Sequence, residues 1–598
     1  MLNKVKRKLS IKNQNSVYFF SVIVGVVSGI AAMIFSFILK LAEDWILSFH
    51  QDKIKVNNTI ADKISESYHL PYTSLLILGV PALGGLAAGL IIYFFCKEAK
   101  GTGTDELIDA FHNQEGKIDT KVPLYKSIAT IFTLSSGGSG GKEGPISQIG
   151  AGIGVFVANL ANAGARARRT LLLSGTAAGL GAAFKTPLGG ALTAVEMVYK
   201  EDIESDALIP CFISSVTAYL IYTAYAGTSP LMNIGDVSSF HFSEIAFYLI
   251  LGVLCYVFGF LFIFGFGKAK KFTLSLNIPI YLKPAIGGLL TGAIALLFFE
   301  VSGTGHSFIE RVANGNLPDL IGNSMFYSVI VSLLIIAFLK ILATTLTIGS
   351  GGSAGIFGPS LFIGAMLGAA TGVAAKTFLS STEVHVGSYI VVGMGAFYAG
   401  VANAPIAGII MIMEMTGSYV LLPPIIIVSI FTFILARQIS FYKNQVDNRF
   451  KSPAHKWEMK LDVIDSIYLK EYFPEYRLLA VLQDYFTLEQ AKELGAKIHA
   501  SDFVVVNDHL EYVGMFSLRM VSLENKGVNK KNQLVRRYVN TTVPCISPND
   551  KLSEALNIIM RSDVDKVAVV EDKRFLGYIR SKDIFEAYNK ELKQSKRN

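Results

Sequence analysis

Gly137-Gly138-Ser139-Gly140-Gly141-Lys142-Glu143-Gly144-Pro145 is a glycine-rich stretch whose pattern the chain repeats 214 positions later. The second copy reads Gly351-Gly352-Ser353-Ala354-Gly355-Ile356-Phe357-Gly358-Pro359, so both copies follow GGSxGxxGP. Each copy leads into a long apolar run. The repetition predicts two related halves, each broken by a glycine-rich loop.

A second pair of motifs supports the duplication. Pro187-Leu188-Gly189-Gly190 precedes Glu196, and Pro405-Ile406-Ala407-Gly408 precedes Glu414, with the same proline-to-glutamate spacing of nine. The offset between these copies is 218 positions. Paired Gly/Pro-interrupted apolar segments in two halves are typical of transporters whose site lies where broken helices meet.

The composition is that of a membrane protein. Of 598 residues, 51% are hydrophobic, and the mean hydropathy is +0.45. Several uncharged runs exceed the ~20 residues that span a bilayer. These runs are Val17–Leu39, Ile245–Gly267, Ile341–Ala375 and Val386–Met413. We therefore expect an all-α polytopic membrane domain over residues 1–455, with some short helices that enter the bilayer and stop.

The net charge of +8 is concentrated at the membrane flanks and indicates no nucleic-acid partner. Basic residues cluster before the first span and after the last, which predicts that both chain ends lie in the cytoplasm and that the protein resides in the cell membrane. The basic residues are Lys4, Lys6, Arg7, Lys8, Arg437, Lys443, Arg449, Lys451 and Lys456.

Beyond residue 460 the chain alternates polar and apolar residues as a soluble α/β domain does. Lys551–Arg561 has helical periodicity, and Lys566–Val570 and Phe575–Ile579 are β-type runs around a turn. A weaker copy of the same order precedes it, with strands expected at Phe503–Val506 and Tyr512–Phe516. We predict two related modules, over residues 460–540 and 541–598.

The glycine-rich repeats have the chemistry of an anion site. Pro145 favours the first turn of a helix, and the glycines before it leave backbone N–H groups unobstructed. A helix N-terminus binds anions without a buried full positive charge, which matters in a bilayer because a charged side chain at depth is costly. Glu143 stands where an anion would bind, so it can compete while ionised and leave when protonated. Phe357, its counterpart in the second copy, cannot compete, and this asymmetry points to Glu143 as a gate.

These motifs resemble those of the CLC chloride channel and transporter family. GKEGP at 141–145 matches the family's GREGP or GKEGP motif, and Gly355–Pro359 matches its GxFxP motif. Thr102 stands at the serine of its GSGIP segment, and Tyr442 stands where the family places a tyrosine on its last helix. The region beyond residue 460 resembles a pair of cystathionine-β-synthase (CBS) domains.

The resemblance implies two inverted repeats with re-entrant helices, one pore in each subunit and a homodimer. It also implies that chloride or a similar anion is held by the hydroxyls of Thr102 and Tyr442 and by backbone amides near Ile356 and Phe357. Glu143 would be the external gate. No cofactor is required for such transport.

One departure leaves the mechanism open. Proton-coupled members carry two consecutive glutamates where this chain has Glu196-Met197, so the internal proton acceptor is replaced by Met197. A proton path through Glu143, Glu196, Glu201 and Asp202 is one hypothesis, and a solvated helix end is the alternative for the last two. Anion/proton exchange is the first interpretation, and a passive, voltage-gated channel is the alternative.

The second CBS module carries a candidate nucleotide site. Its stretch Gly577–Asp583 resembles the family segment whose aspartate contacts ribose, which suggests that Asp583 and Ser581 bind an adenine nucleotide. The first module lacks this aspartate, and a purely structural dimerisation module is the alternative.

Two rival classes fit the sequence less well. An enzyme would need a nucleophile–base or metal constellation, and no His, Asp, Glu or Cys cluster has metal-ligand spacing. A divalent-cation carrier would need acidic residues in its spans, whereas these motifs offer amides and hydroxyls.

Overall fold

The computed structural model describes residues 14–48, 71–235, 237, 240–318, 326–379, 383–455, 467–473, 476–518, 532–562 and 564–595. The chain divides into two compact units, Met1–Ala454 and His455–Asn598. The basic residues at positions 4–8 and Lys456 lie outside the described residues.

The first unit is helical throughout its described part. Its helices are α1 (Gln14–Ser48), α2 (Pro71–Phe94), α3 (Thr104–Asn113), α4 (Val122–Ser135), α5 (Glu143–Leu160), α6 (Ala165–Phe184), α7 (Pro187–Glu196), α8 (Leu208–Ala226), α9 (Ile245–Ser275), α10 (Lys283–Leu297), α11 (His306–Ala313), α12 (Phe326–Gly349), α13 (Phe357–Phe378), α14 (Val386–Ala402), α15 (Pro405–Thr416) and α16 (Leu422–Ala436).

The helices differ in whether they can cross a bilayer. Eight of the described helices are long and apolar enough to span one. By contrast, α7 has 10 residues and α15 has 12, so they are only about 15 and 18 Å long. The bilayer core is about 30 Å thick. Both short helices begin with proline in their first turn, and the predicted partial helices are therefore confirmed.

Hydrogen bonds between the halves repeat with the period of the sequence. Thr130 Oγ1 lies 2.9 Å from Ser353 Oγ, and Thr344 Oγ1 lies 2.9 Å from Ser139 Oγ. Thr344 is the counterpart of Thr130, and Ser353 is the counterpart of Ser139, each 214 positions later. The second bond is therefore the first with the two halves exchanged. Reciprocal pairing of this kind is what a two-fold axis produces at an interface. The two halves are therefore related by an internal pseudo-two-fold axis.

The two glycine-rich loops meet at this axis. The Gly141 N–H donates to the Gly355 carbonyl at 2.8 Å, and the Gly355 N–H donates to the Gly141 carbonyl at 2.6 Å. These two residues are counterparts in the two repeats. Their mutual pairing brings the start of α5 and the start of α13 to the same place in the molecule.

The two short helices cap one another in the same reciprocal way. The Glu196 carboxylate at the end of α7 accepts hydrogen bonds from the amides of Ile406 and Ala407 at 3.1 and 2.6 Å. The Glu414 carboxylate at the end of α15 accepts from the amides of Leu188 and Gly189 at 3.1 and 2.7 Å. Each carboxylate thus satisfies N–H groups that the other helix leaves unpaired at its start.

A buried lysine holds a Gly-Thr-Gly loop in each half. Lys126 in α4 donates to the carbonyls of Ala99 and Gly101 at 3.1 and 2.7 Å. Its counterpart Lys340 in α12, 214 positions later, donates to the carbonyl of Gly303 at 2.8 Å. Both lysine side chains are fully buried. The loops that they fix lead directly into α3 and α11.

The second unit contains two small sheets flanked by helices. The first sheet has strand order β1 (Val481–Gln483), β2 (Asp502–Val506), β3 (Tyr512–Ser517), with β1 and β2 parallel and β2 and β3 antiparallel. The second pairs β4 (Lys566–Glu571) with β5 (Arg574–Arg580) in antiparallel fashion. The helices of this unit are α17 (Leu469–Tyr472), α18 (Leu488–Ile498), α19 (Leu552–Ser562) and α20 (Ser581–Ser595). This is the repeated α/β pattern expected from the sequence.

Candidate functional site

The site lies where the starts of α5 and α13 meet. Helix α5 begins at Glu143 and α13 begins at Phe357, and each has a proline in its first turn. The first four N–H groups of each helix have no partner within the helix. Because two such N-termini lie beside the Gly141–Gly355 pair, backbone N–H groups from both halves converge on one point.

The Glu143 side chain occupies this point. It is 3% exposed, and neither carboxylate oxygen has a hydrogen bond of normal geometry among the described residues. A methyl group placed on Gly358 would lie 2.9 Å from Oε1, and one placed on Gly355 would lie 2.8 Å from Oε2. A methyl group on Gly141 would overlap the carboxylate itself. The three glycines form a cradle at the start of α13, and we call this place the Glu143 seat.

A cavity of about 20 Å³ adjoins the Glu143 seat. A cavity of at least ~10–15 Å³ on this measure is needed for one water molecule, so the space admits a single small ion or water. Its wall combines hydroxyls, helix starts and two thioethers. The lining residues are Thr104, Glu143, Gly144, Ser147, Leu180, Thr193, Met197, Ile356, Phe357, Tyr398, Met411 and Tyr442.

Three of the four expected anion ligands line this cavity together with the expected gate. Ile356, Phe357 and Tyr442 are wall residues, whereas Thr102 is not. Thr104, two residues after Thr102, takes a place on the wall and contacts the Tyr442 hydroxyl.

The Gly-Thr-Gly loop explains why Thr104 lines the cavity. Gly101 and Gly103 have φ values of 76° and 82°, a region that favours glycine. Two such turns bring Thr104 to the first position of α3, while the Gly103 amide donates to Glu106 at 3.0 Å. A hydroxyl residue directly after the last glycine was the sequence signal for this position.

Met197 also lines the cavity, and Glu196 does not. The Glu196 carboxylate accepts two backbone hydrogen bonds at the start of α15. The structure thus gives Glu196 a helix-capping position, and the neighbouring thioether faces the cavity near the Glu143 seat.

Of the two acids suggested for proton uptake, Glu201 lies at the surface and Asp202 is half-buried. Glu201 accepts two hydrogen bonds from Arg437 at 2.6 and 2.7 Å, and this guanidinium holds the pKa of Glu201 below its usual range. Asp202 accepts from the amides of Ile203 and Arg449 at 2.8 and 3.0 Å. Neither acid lines the cavity, so the structure does not bring them together with Glu143.

In the second unit, the predicted nucleotide residue Asp583 is buried and paired. Its carboxylate accepts from Arg477 Nε and Nη2 at 3.1 and 3.0 Å and from the Arg580 amide and side chain at 3.0 to 3.2 Å. Burial raises the pKa of Asp583, but the hydrogen bonds from Arg580 and Arg477 more than offset this, so the pKa lies below its usual range. Ser581 is the first residue of α20. A ribose at Asp583 would have to displace an arginine.

The family follows from comparison with known proteins. Residues 84–437, more than half of the chain, match the family model described as voltage gated chloride channel, and the protein therefore belongs to the CLC chloride channel and transporter family. Residues 535–590 match the CBS domain model. The family and the eight long apolar helices together make the chain a multi-pass membrane protein.

Relatives of this chain carry two kinds of name. A Citrobacter koseri protein named H(+)/Cl(-) exchange transporter ClcA is 32% identical over 373 residues, which are 60% of this chain and 74% of the relative. A ClcB-like protein of Ralstonia nicotianae, named for a chloride channel, is 31% identical over 61% of this chain and 83% of the relative. The solved structure of a slow cyanobacterial Cl−/H+ antiporter has a TM-score of 0.61 at 20% identity and covers 71% of this chain and 94% of that one. This last likeness supports the fold.

Proposed function

We propose that the protein exchanges chloride, or a similar small anion, for protons, with one pathway in each subunit and with Glu143 as the gate. The observation that carries the proposal is the Glu143 seat, where a carboxylate lies in a glycine cradle at the start of α13. The names of ClcA relatives as H(+)/Cl(-) exchange transporters support it.

The Glu143 seat couples the two substrates through competition. An ionised carboxylate and an anion both bind favourably to the unpaired N–H groups of a helix N-terminus, and the space does not admit both. A protonated Glu143 has lost the charge that favours this place, so it leaves and an anion enters. Anion binding and proton binding therefore exclude and replace one another at the same place, as exchange requires.

The cavity residues supply the rest of the anion's coordination. The amides of Ile356 and Phe357 begin α13, and the Tyr442 and Thr104 hydroxyls lie on the same wall. Hydroxyls and amides are donors without charge, so they replace part of the anion's hydration shell without a buried ion pair. In this proposal Thr104 takes the role that the family resemblance assigned to Thr102.

A passive, voltage-gated chloride channel is the second candidate function. Met197 on the cavity wall favours it, because a thioether cannot carry a proton. The name of the ClcB-like relative points the same way.

The proposal includes a place and an assembly. We place the protein in the plasma membrane with both ends in the cytoplasm, because basic residues follow the last described membrane helix at Arg437, Lys443, Arg449 and Lys451. The proposed assembly is a homodimer, as the family resemblance implies. The CBS pair is proposed to bind an adenine nucleotide, with Asp583 released from Arg477 on binding.

Purified protein in liposomes tests exchange against passive conduction. With a chloride gradient and no pH gradient, an exchanger drives protons uphill, and a protonophore collapses the proton gradient that it builds. The reversal potential then shifts when the pH gradient alone is changed. Chloride flux with no proton movement above that of protein-free liposomes, and a reversal potential indifferent to pH, would establish the channel.

A further inference from the structure

Among the described residues that line the cavity, Glu143 is the one acid, and Met197 is also part of the wall, so an exchanger needs another group to take up protons from the cytoplasm. We propose that Glu204 is that proton acceptor, in a buried cluster with Tyr199, Ser452 and His112. This inference rests on the proposed exchange function and deepens it. The four residues are called the Glu204 cluster below.

The Glu204 cluster is a continuous series of polar side chains. The Tyr199 hydroxyl donates to Glu204 Oε2 at 2.7 Å, and the same hydroxyl contacts the Ser452 side chain. Ser452 Oγ lies 2.8 Å from His112 Nδ1. Glu204 is 4% exposed, and the other three residues are buried as fully or more so. Chains of acidic and histidine side chains buried in membrane proteins commonly serve as proton relays.

The hydrogen bonds determine which nitrogen of the neutral His112 ring carries the hydrogen. Nε2 lies 2.8 Å from the Val198 carbonyl oxygen. A carbonyl can only accept, so Nε2 carries the hydrogen, and in the neutral ring Nδ1 accepts from the Ser452 hydroxyl. If His112 takes up a proton at Nδ1, the Ser452 hydroxyl must turn. The cluster can therefore hold a proton at more than one position.

The Glu204 cluster joins the cavity wall through the chain itself. Tyr199 follows Met197 by two residues, and two residues span at most about 7 Å. The Gln445 side-chain amide donates to the carbonyls of Met197 and Tyr199 at 2.9 and 3.2 Å. This link fixes the segment between the cavity and the cluster. The cluster thus begins directly behind the residue that replaces the internal acid.

The other side of the cluster lies close to solvent, on the face that carries Arg166 and Arg449 and that we call the basic face. Ser205, next to Glu204, and Asn113, next to His112, are exposed. The charged side chains around the cluster come from several elements. Arg449 lies near Tyr199 and donates to Asp206 at 2.7 Å, and Arg166 donates to the same carboxylate at 2.9 Å.

These neighbours set the charge balance. Asp202 accepts from the Arg449 amide, and the buried Cys211 thiol lies near Glu204. The Arg449 guanidinium lies near Tyr199, which donates to Glu204. By the positive-inside rule this basic face lies in the cytoplasm.

The proton transfer can be written as a balanced sequence. A hydronium ion from the cytoplasm gives one proton to the Glu204 carboxylate and leaves as water. Glu204 then gives that proton to water molecules that pass Met197, and the last of them gives it to the Glu143 carboxylate. Glu204 returns to its ionised form, and Glu143, now neutral, leaves its seat. One proton has moved, and no bond other than O–H has formed or broken.

The test is the ratio of protons to chloride transported in liposomes under a chloride gradient. In Glu204→Gln the chloride flux should persist, while the ratio falls at least tenfold below that of the wild type. Glu201→Gln is the matched control, because Glu201 is an exposed acid that pairs with Arg437 at the surface, and its ratio of protons to chloride should not change. Adding Met197→Glu to Glu204→Gln should restore proton movement, because it places a carboxylate on the cavity wall.

Several results would overturn the proposal. A wild-type protein that moves protons and a Glu204→Gln variant with the same ratio would overturn this inference alone. A wild-type protein that moves no protons would overturn the exchange function and this inference with it. If Glu204→Gln transports no chloride, Tyr199→Phe takes its place, because it removes one hydroxyl from the cluster. An unchanged ratio in Tyr199→Phe contradicts a role of the cluster in proton transfer. Loss of chloride flux in both variants contradicts a role confined to protons.

Discussion

Gly141→Ala should push the Glu143 carboxylate out of its seat while leaving the acid in the protein. The three atoms nearest a methyl group at Gly141 all belong to the end of the Glu143 side chain. A flexible side chain moves more easily than backbone, so the carboxylate gives way. The Gly141 backbone also lies outside the positive-φ region, so alanine fits its conformation.

The size of the effect follows from what the Glu143 seat provides. A carboxylate at a helix N-terminus gains about 0.3–1 kcal/mol, and up to about 2 kcal/mol when partly buried. Removing that competitor should therefore raise the apparent anion affinity at neutral pH by at most about 2- to 30-fold, since 1.4 kcal/mol corresponds to a factor of ten and the methyl group itself takes up part of the space. In acid the competitor is already neutral in the wild type. The two proteins should then behave alike.

Chloride efflux from liposomes measures this effect, near neutral pH and in mild acid. The wild type should be stimulated by acid, and Gly141→Ala should be fast at both pH values. Gly265→Ala is the matched control, because a methyl group there meets nothing within 4 Å. Gly355→Ala is a contrasting variant: its methyl group would lie 2.7 Å from the Gly144 backbone nitrogen, so it should damage folding instead. A folded Gly141→Ala protein that keeps the wild-type acid stimulation would refute the account of the Glu143 seat.

Three further predictions test other parts of the molecule. Glu143→Gln should give chloride flux with little pH dependence, because a neutral amide does not compete for the α13 start; retained acid stimulation in liposomes would contradict the gate. Glu196→Gln and Glu414→Gln should each lower the thermal stability of the full chain by a similar amount, about 1–3 kcal/mol for charged hydrogen bonds, and unequal losses would argue against reciprocal capping. Asp583→Asn should speed amide hydrogen exchange in β5 of the full chain. Because the pKa of Asp583 is lowered, its contribution is present above the unfolded value near pH 4 and is lost only as the pH falls through the lowered value. Equal exchange in wild type and variant at neutral pH would show that the pairing with Arg477 adds nothing.

The helix starts and the place of Glu143 beside them could be predicted from short stretches of sequence because their physics is local. Glycine, proline and a following apolar run define a helix N-terminus within a few residues, and such an N-terminus favours an anion wherever it lies. The duplication then showed that two of them belong together. The contrast between Glu143 and Phe357 was visible by aligning the copies. The α/β order of the CBS modules was likewise readable from periodicity.

The roles of the remaining acids could not be predicted, because they depend on partners far away in the chain. Glu196 looked like part of a proton path, yet its carboxylate bonds amides 210 and 211 positions away. The surroundings of Glu204 were not predicted. They include Tyr199, which donates to it, and Ser452, which contacts His112 across 340 positions.

Local sequence showed a membrane protein with two related halves and an acid at one of two glycine-rich helix starts. It did so because helix breaks and spans are set by neighbouring residues. The folded molecule was needed to show that Thr104, and not Thr102, lines the cavity and that Glu204 is buried. The direction of a side chain after two positive-φ glycines, and the burial of one carboxylate among several, are set by packing between distant segments.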